Sequence, residues 1–367
     1  MESKSKPYKK IAIVHDVLIE YGGAEVVLSE LLKMFPKADL YTFLYNSKNE
    51  QISAVFPVPV KKSLFFSRTI FFVLGKYISV LKFFSWIYFY LLNLKEYDLI
   101  ISSSHSYNSK IVHKKSGALH ISYIHTPPRY LYALSHELDF LQNHFCKFLL
   151  SPVMYLMRKI DVYAGKNPDI LIANSKEVQK RIKNSYNRDS IVIHPPVDLP
   201  IKPTQIESKF FIAHSRLVKQ KGLDLIIRTC NRYQLKLVVI GSGYYEPYLK
   251  KIAGKTIFFT GFITKAQIRY LYKYAKALLY AAKEEDFGIV PVEAQSYGVP
   301  VIAYASGGVV ETIVDGKTGL FFKNYNEEPM YTAIKIFERT QFSSLACRKN
   351  AQKYSRELFS KKFLRLL

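Results

Sequence analysis

Cysteine is scarce in this chain: Cys146, Cys230 and Cys347 are the only three in 367 residues. They lie far apart, with no paired metal-ligand spacing and no disulfide framework, so each reads as a small buried hydrophobe in a reducing cytosol. Tandem repeats and low-complexity tracts are missing. So is a signal peptide's long apolar run: the opening MESKSKPYKKIAIVHD is basic and passes straight into a short strand. A membrane-spanning helix needs about 20 unbroken apolar residues, and the most apolar stretch is interrupted by Arg68, Lys76 and Lys82. Acidic residues are few, 29 against 53 basic, for a formal charge of +24. That excess implies an anionic partner: nucleic acid, phosphate esters or an acidic lipid surface. The basic residues are spread along the chain and gather on no single expected helix, and no recognised nucleic-acid motif is present, which argues against nucleic acid.

Hydrophobic residues make up 49% of the chain, enough for full cores, and the length suggests two domains. From Gln51 to Lys95 there is no acidic residue, while Lys61, Lys62, Arg68, Lys76, Lys82 and Lys95 alternate with Phe, Tyr and the single Trp. Over residues 61–95 this pattern fits helices lying on an anionic membrane surface. The other reading is a buried helical pair whose lysines reach outward.

Short apolar runs alternate with helical periodicity throughout. KIAIVH reads as a strand, followed by a Gly-Gly loop and the helix EVVLSELLKMF, an arrangement whose amides suit an anion. Without G-x-G-x-x-G that signal is weak alone. ADLYTFLY, YDLIISSS, ALHISYIHT and PDILIANS read as further strands, and Ser175 caps a helix after the last. VIHPPVDLPIKP, with four prolines, reads as a linker, after which strand and helix alternate again from KFFIAHSRL to GLFF. The expectation is an α/β chain of two Rossmann-like doubly wound domains with an inter-domain cleft. The expected divisions are 1–196, 197–345, and a C-terminal helix at 346–367 packing back on the first domain.

Glu285 and Glu293 are separated by seven residues in EEDFGIVPVE. Glu285 is expected in a loop at the end of a strand. Phe287, Gly288 and Ile289 lead into a helix with Pro291 in its first turn, and Glu293 follows one turn in. Free amides near Gly288 can hold phosphate oxygens, and a carboxylate at 293 can accept bonds from vicinal hydroxyls such as a ribose offers. Arg216 and Lys221, five residues apart on the loop after a strand, can stabilise a diphosphate leaving group as its charge grows. Ser306-Gly307-Gly308 adds another loop ahead of a helix. Each residue alone reads as structural; their joint spacing carries the argument.

In these residues the chain resembles retaining glycosyltransferases of family 4, built on the GT-B fold. Glu285 and Glu293 match the family's E-x7-E motif, and Arg216 and Lys221 its diphosphate-binding pair. HDVLIEYGGAE and YIHTPPRY are similar to bacterial mannosyltransferases of surface polysaccharide assembly. The resemblance implies that Glu293 holds the donor ribose and Glu285 the hydroxyls of the transferred sugar. Gly22 and Gly23 would approach the diphosphate, and His125 would sit beside the reacting sugar. Phe262 and Ile263 would border the base. Arg129 is a candidate for the acceptor's phosphate. His15, His105 and His120 show that histidine is not rare here, so His125 could equally be a core residue. No cofactor and no metal are implied, and no D-x-D motif is present. The implied donor is a nucleotide sugar, GDP-mannose by resemblance or a UDP-sugar otherwise. The implied acceptor is a lipid-linked saccharide at the cytoplasmic face of the cell membrane. A sugar epimerase or phosphorylase, or a non-catalytic membrane-associated subunit of the same fold, are the other readings.

Overall fold

The structure, a computed structural model, describes residues 8–47, 49–56, 60–62, 84–132, 144–200 and 208–367. The chain divides into two compact units. One runs to Pro195 and takes in Phe359–Leu367; the other is Pro196–Leu358.

The first unit is built on a seven-stranded parallel sheet. Its strands are β1 (Ile11–Leu18), β2 (Asp39–Tyr45), β3 (Val60–Lys62), β4 (Leu99–Ser104), β5 (Leu119–Ile124), β6 (Ile170–Ala173) and β7 (Ile191–Val192), in the order β3-β2-β1-β4-β5-β6-β7. Successive strand residues face opposite sides of a sheet. Here both sides are buried: Ile13, Ile101 and Ile121 belong to one core and Ala12, Val14 and Ile100 to another. Burial on both faces is why the strands read as unbroken apolar runs. Helix Gly23–Met34 covers one face through Val27, Leu28 and Leu31, joined there by Phe359 and Phe363 from the C-terminal helix Arg356–Leu364.

The second unit repeats the plan with six parallel strands. These are β8 (Phe210–His214), β9 (Leu237–Ile240), β10 (Ile257–Gly261), β11 (Ala275–Tyr280), β12 (Val301–Tyr304) and β13 (Gly319–Phe322), in the order β10-β9-β8-β11-β12-β13. Phe211, Ala213 and Val239 lie in one core and Ile212, Val238 and Ile240 in the other. Helix Ser344–Gln352 belongs to this unit: Asn350 donates to Gln295 Oε1, and Ser344 Oγ donates to the Gly298 carbonyl. The return of the chain to the first unit therefore falls at 358/359, thirteen residues beyond 345/346.

Both strand orders reverse direction beside the first strand of their unit, at β1/β4 and at β8/β11. Loops leaving neighbouring strands at such a point diverge to opposite faces and leave a crevice at the carboxyl ends, where ligands bind in open α/β sheets.

The strand KIAIVH is longer than its apolar run suggests, extending through Asp16 to Leu18. Asp16 tolerates burial because its carboxylate is saturated. Oδ2 accepts the amides of His105 (2.6 Å), Ser106 (2.7 Å) and Tyr107 (2.9 Å), and Oδ1 accepts that of Ser109 (3.0 Å). Burial alone would raise this acid, but the hydroxyl of Ser109 and the amides outweigh it and hold the group below the usual range. Asp16 thereby fixes the loop after β4 to the end of β1. Residues 63–83 of the apolar-basic segment lie outside the described residues. In the described part, helix Ser85–Tyr90 buries Ser85 and Phe89 while Phe84, Ile87, Tyr90 and Leu91 are exposed. Among the described residues no helix is long and apolar enough to cross a membrane.

Candidate functional site

In the second unit, the loops after β8 and β11 meet. Gly222 follows the short turn Lys219–Lys221 with φ +65°. A Cβ there would lie 2.3 Å from the Ala281 carbonyl oxygen, so the two backbones touch. That contact carries Lys221 to Glu285, 64 residues away: Lys221 Nζ lies 2.6 Å from Glu285 Oε2. Tyr280, the last residue of β11, donates its hydroxyl to the same oxygen at 2.7 Å. Burial raises Glu285, but the charge of Lys221 and the two hydrogen bonds overcome it, so the group is held below its ordinary value as a carboxylate.

A third loop braces this pair. Glu285 and Gly307 form a short parallel bridge, with the Gly308 amide donating to the Glu285 carbonyl at 2.7 Å. Gly307 has φ +67°, and a Cβ there would lie 2.3 Å from that carbonyl. Ser306 Oγ accepts the Glu284 amide at 3.2 Å.

Gly288 caps helix Ile289–Ser296, which carries Glu293. Glu293 is partly buried, and among the described residues its carboxyl accepts no hydrogen bond. Burial pushes it up to about 7; the charge of Lys265 opposes the shift and Asp198 adds to it. Lys265 is itself engaged with Asp198 at 2.9 Å. Glu293 is thus an acid without a partner, set in a place that favours its neutral form.

The other residues divide. Arg216 is exposed on the loop after β8. Ile263 packs against the core, while its neighbour Phe262 is 67% exposed. The ring of Phe287 is buried among Val197, Val292 and Tyr354, so only its backbone can meet a ligand. The loop needs that apolar anchor to hold Gly288 at the helix start.

In the first unit, Gly22 caps helix Gly23–Met34, but its amide already donates to Glu25 Oε2 at 2.8 Å. Close approach at Gly22 therefore depends on its missing side chain rather than on its N–H. His125, just past β5, is buried, with Nε2 2.9 Å from Ser103 Oγ. Ser103 Oγ also lies 3.0 Å from His15 Nδ1, and His15 Nε2 lies 3.4 Å from Glu25 Oε1. His15 and Ser103 are direct cross-strand partners of β1 and β4. Arg129 opens the turn Arg129–Leu131, five residues from the end of β5. Sequence reasoning missed Tyr280, Glu25, Ser103 and the part played by His15. The only local signal was Glu25 three residues after Gly22, the N3 position where an acid reaches back to the cap amide.

Comparisons with known proteins agree with this architecture. Residues 21–200 match the family described as Glycosyltransferase Family 4, and residues 199–354 match Glycosyl transferases group 1. An uncharacterized glycosyltransferase of Methanocaldococcus jannaschii is 28% identical over 205 residues, 55% of this chain and 57% of that protein. The GDP-mannose-dependent alpha-(1-6)-phosphatidylinositol monomannoside mannosyltransferase of Mycolicibacterium smegmatis is 25% identical over 202 residues, 46% of this chain and 53% of that protein. The chain spans about half the length of these curated relatives. HepE of Anabaena, solved with UDP and glucose, is similar with a TM-score of 0.69 at 18% identity, covering 97% of this chain and 99% of that one. The apo lipopolysaccharide outer core galactosyltransferase WaaB gives 0.63 at 18% identity, covering 97% and 98%. Fold, matched families and the meeting of Lys221 with Glu285 at a switch point agree: the chain belongs to the glycosyltransferases of the group 1 and family 4 type, built on the GT-B fold.

Proposed function

We propose that the chain is a retaining glycosyltransferase that moves a hexose, mannose from GDP-mannose, onto a lipid-linked saccharide in surface polysaccharide assembly. The observation that carries this reading is the acid pair of the second unit. Glu285 is held as a carboxylate by Lys221 and Tyr280, while Glu293, one helix turn past Gly288, has no hydrogen-bonded partner among the described residues. In this reading Glu293 accepts from the donor ribose and Glu285 from the hydroxyls of the transferred sugar. An ammonium has three N–H donors, so Lys221 can keep Glu285 and still bind a phosphate oxygen of the leaving diphosphate. Arg216 and the amides near Gly288 and Ile289 add to that anion site, and Ile263 borders the base; Gly22 and Gly23 are assigned to the diphosphate and His125 to the sugar. Arg129 is assigned to the acceptor's phosphate.

The mannosyltransferase similarity supports GDP-mannose as donor. A UDP-sugar is the second reading, favoured by the UDP-bound structure of similar fold. Calorimetric titration with GDP, UDP, GDP-mannose and UDP-glucose, without added metal, tests both. Binding of one nucleotide family, lost in Glu293→Ala, is the expected result; binding of none overturns the reading. The membrane part rests on residues 61–95, in whose described part Phe84, Ile87, Tyr90 and Leu91 are exposed; in this reading the enzyme sits peripherally at the inner face of the cell membrane. Vesicles with anionic lipid should retain the protein better than neutral ones, and salt should abolish the difference. Equal retention on both would sink this part of the reading.

A further inference from the structure

Glu25, His15, Ser103 and His125 form one buried line of contacts ending at the residue assigned to the sugar. We propose that Glu25 is a positioning residue which, through His15 and Ser103, sets the ring nitrogen of His125 that carries the proton. The inference for transfer rests on the reading of His125 just given.

Proton counting fixes the direction of the line. A carboxylate can only accept. Glu25 accepts the Gly22 amide on Oε2 and faces His15 Nε2 with Oε1, in the first turn of a helix whose amino end favours negative charge. With His15 as the neutral ring, Nε2 is the donor to Glu25 and Nδ1 the acceptor. Ser103 has a single hydroxyl hydrogen, which goes to His15 Nδ1. Its lone pairs are left for His125, so His125 Nε2 donates and its Nδ1 bears the lone pair. The opposite direction would set the lone pair of His15 Nε2 against the carboxylate, a repulsion made more costly by burial.

The adjoining residue provides a contrast. Ser102 Oγ lies 2.9 Å from His120 Nε2, but among the described residues His120 Nδ1 is buried with no hydrogen bond, and no carboxylate bonds either ring nitrogen. With Nδ1 as acceptor, His125 can take a hydrogen bond from a sugar hydroxyl. The same Glu25 also holds Gly22, so one carboxylate fixes both the ring beside the sugar and the loop assigned to the diphosphate.

Nitrogen NMR of histidine-labelled full-length protein, with His125 assigned through its loss in His125→Gln, reads the tautomer directly. In the wild type His125 Nε2 should be protonated; finding it unprotonated overturns the proposal even if no variant folds. In Glu25→Gln the amide must keep its oxygen for Gly22 and present N–H to His15, which reverses every bond in the line. The proton of His125 should then move from Nε2 to Nδ1, and Ser103→Ala should abolish that response. An unchanged tautomer in a Glu25→Gln variant with wild-type melting behaviour overturns the relay whatever the reaction. Transfer in that variant should fall by about tenfold, the worth of one hydrogen bond to the sugar. An inverted tautomer with unaltered transfer and donor binding would instead overturn the assignment of His125 to the sugar.

Discussion

Replacing Glu293 by glutamine should make the protein more stable and a poorer binder of nucleotide sugar. The carboxyl is raised from 4.5 to about 7 in the folded protein. A raised acid binds more protons folded than unfolded between those two values, so its contribution to stability declines as pH rises through that window. A shift of that size corresponds to roughly 3 kcal/mol. Part of the residue's surface stays in solvent, which screens the charge and lowers the cost to about 1–2 kcal/mol. Glutamine, always neutral, avoids the cost. Urea unfolding followed from pH 4 to pH 8 measures it: the two proteins should coincide near pH 4, where both side chains are neutral, diverge between 4.5 and about 7, and keep the full gap above that in favour of Glu293→Gln. A constant gap across the range, or no gap at pH 8, would refute the argument that burial of this acid is tolerated for the sake of a ligand. In the wild type, donor affinity should rise about tenfold from pH 6 to pH 8 as the carboxylate forms, and the slope should vanish in the variant.

Two other outcomes follow from the geometry. Lys221→Ala should lower the rate of transfer more than it weakens donor binding, since its charge matters most as the leaving diphosphate develops charge; single-turnover kinetics beside titration separates the two, and equal losses would contradict the role. Asp16→Asn sets an NH2 group against amide donors that now share four bonds to a carboxylate, and should cost about 2–4 kcal/mol in urea unfolding at pH 7. Because Asp16 is lowered in the folded state, that difference should shrink as pH falls below its unfolded value.

Much of the fold was legible because parallel strands covered on both faces leave continuous apolar runs, and those of β1, β4, β8 and β11 stand out between polar loops. The pairing of Lys221 with Glu285 became readable only with the strand order, since nothing local links loops 64 residues apart. The burial of the Phe287 ring was not legible, because a loop's apolar anchor and a ligand contact look alike in sequence. His15 was weighed as one histidine among several. Its role depends on the register that sets it opposite Ser103, which the strand sequences alone do not specify. The amide of Gly22 was expected to be available to an anion, and the reach of Glu25 three residues on was overlooked.

Apart from Ile263, which follows the edge strand β10, every group assigned to the donor side comes from a loop leaving a central strand or the strand beside it: β1, β4 and β5 in one sheet, β8, β11 and β12 in the other. Central strands are the last to open when a domain fluctuates, whereas edge strands such as β3 and β13 fray first. Deuterium should therefore reach the site-bearing strands only through global unfolding of their unit. The edges can then accumulate substitutions and local breathing without disturbing the acids and histidines. Robustness to change at the periphery is built into the order in which these strands lie.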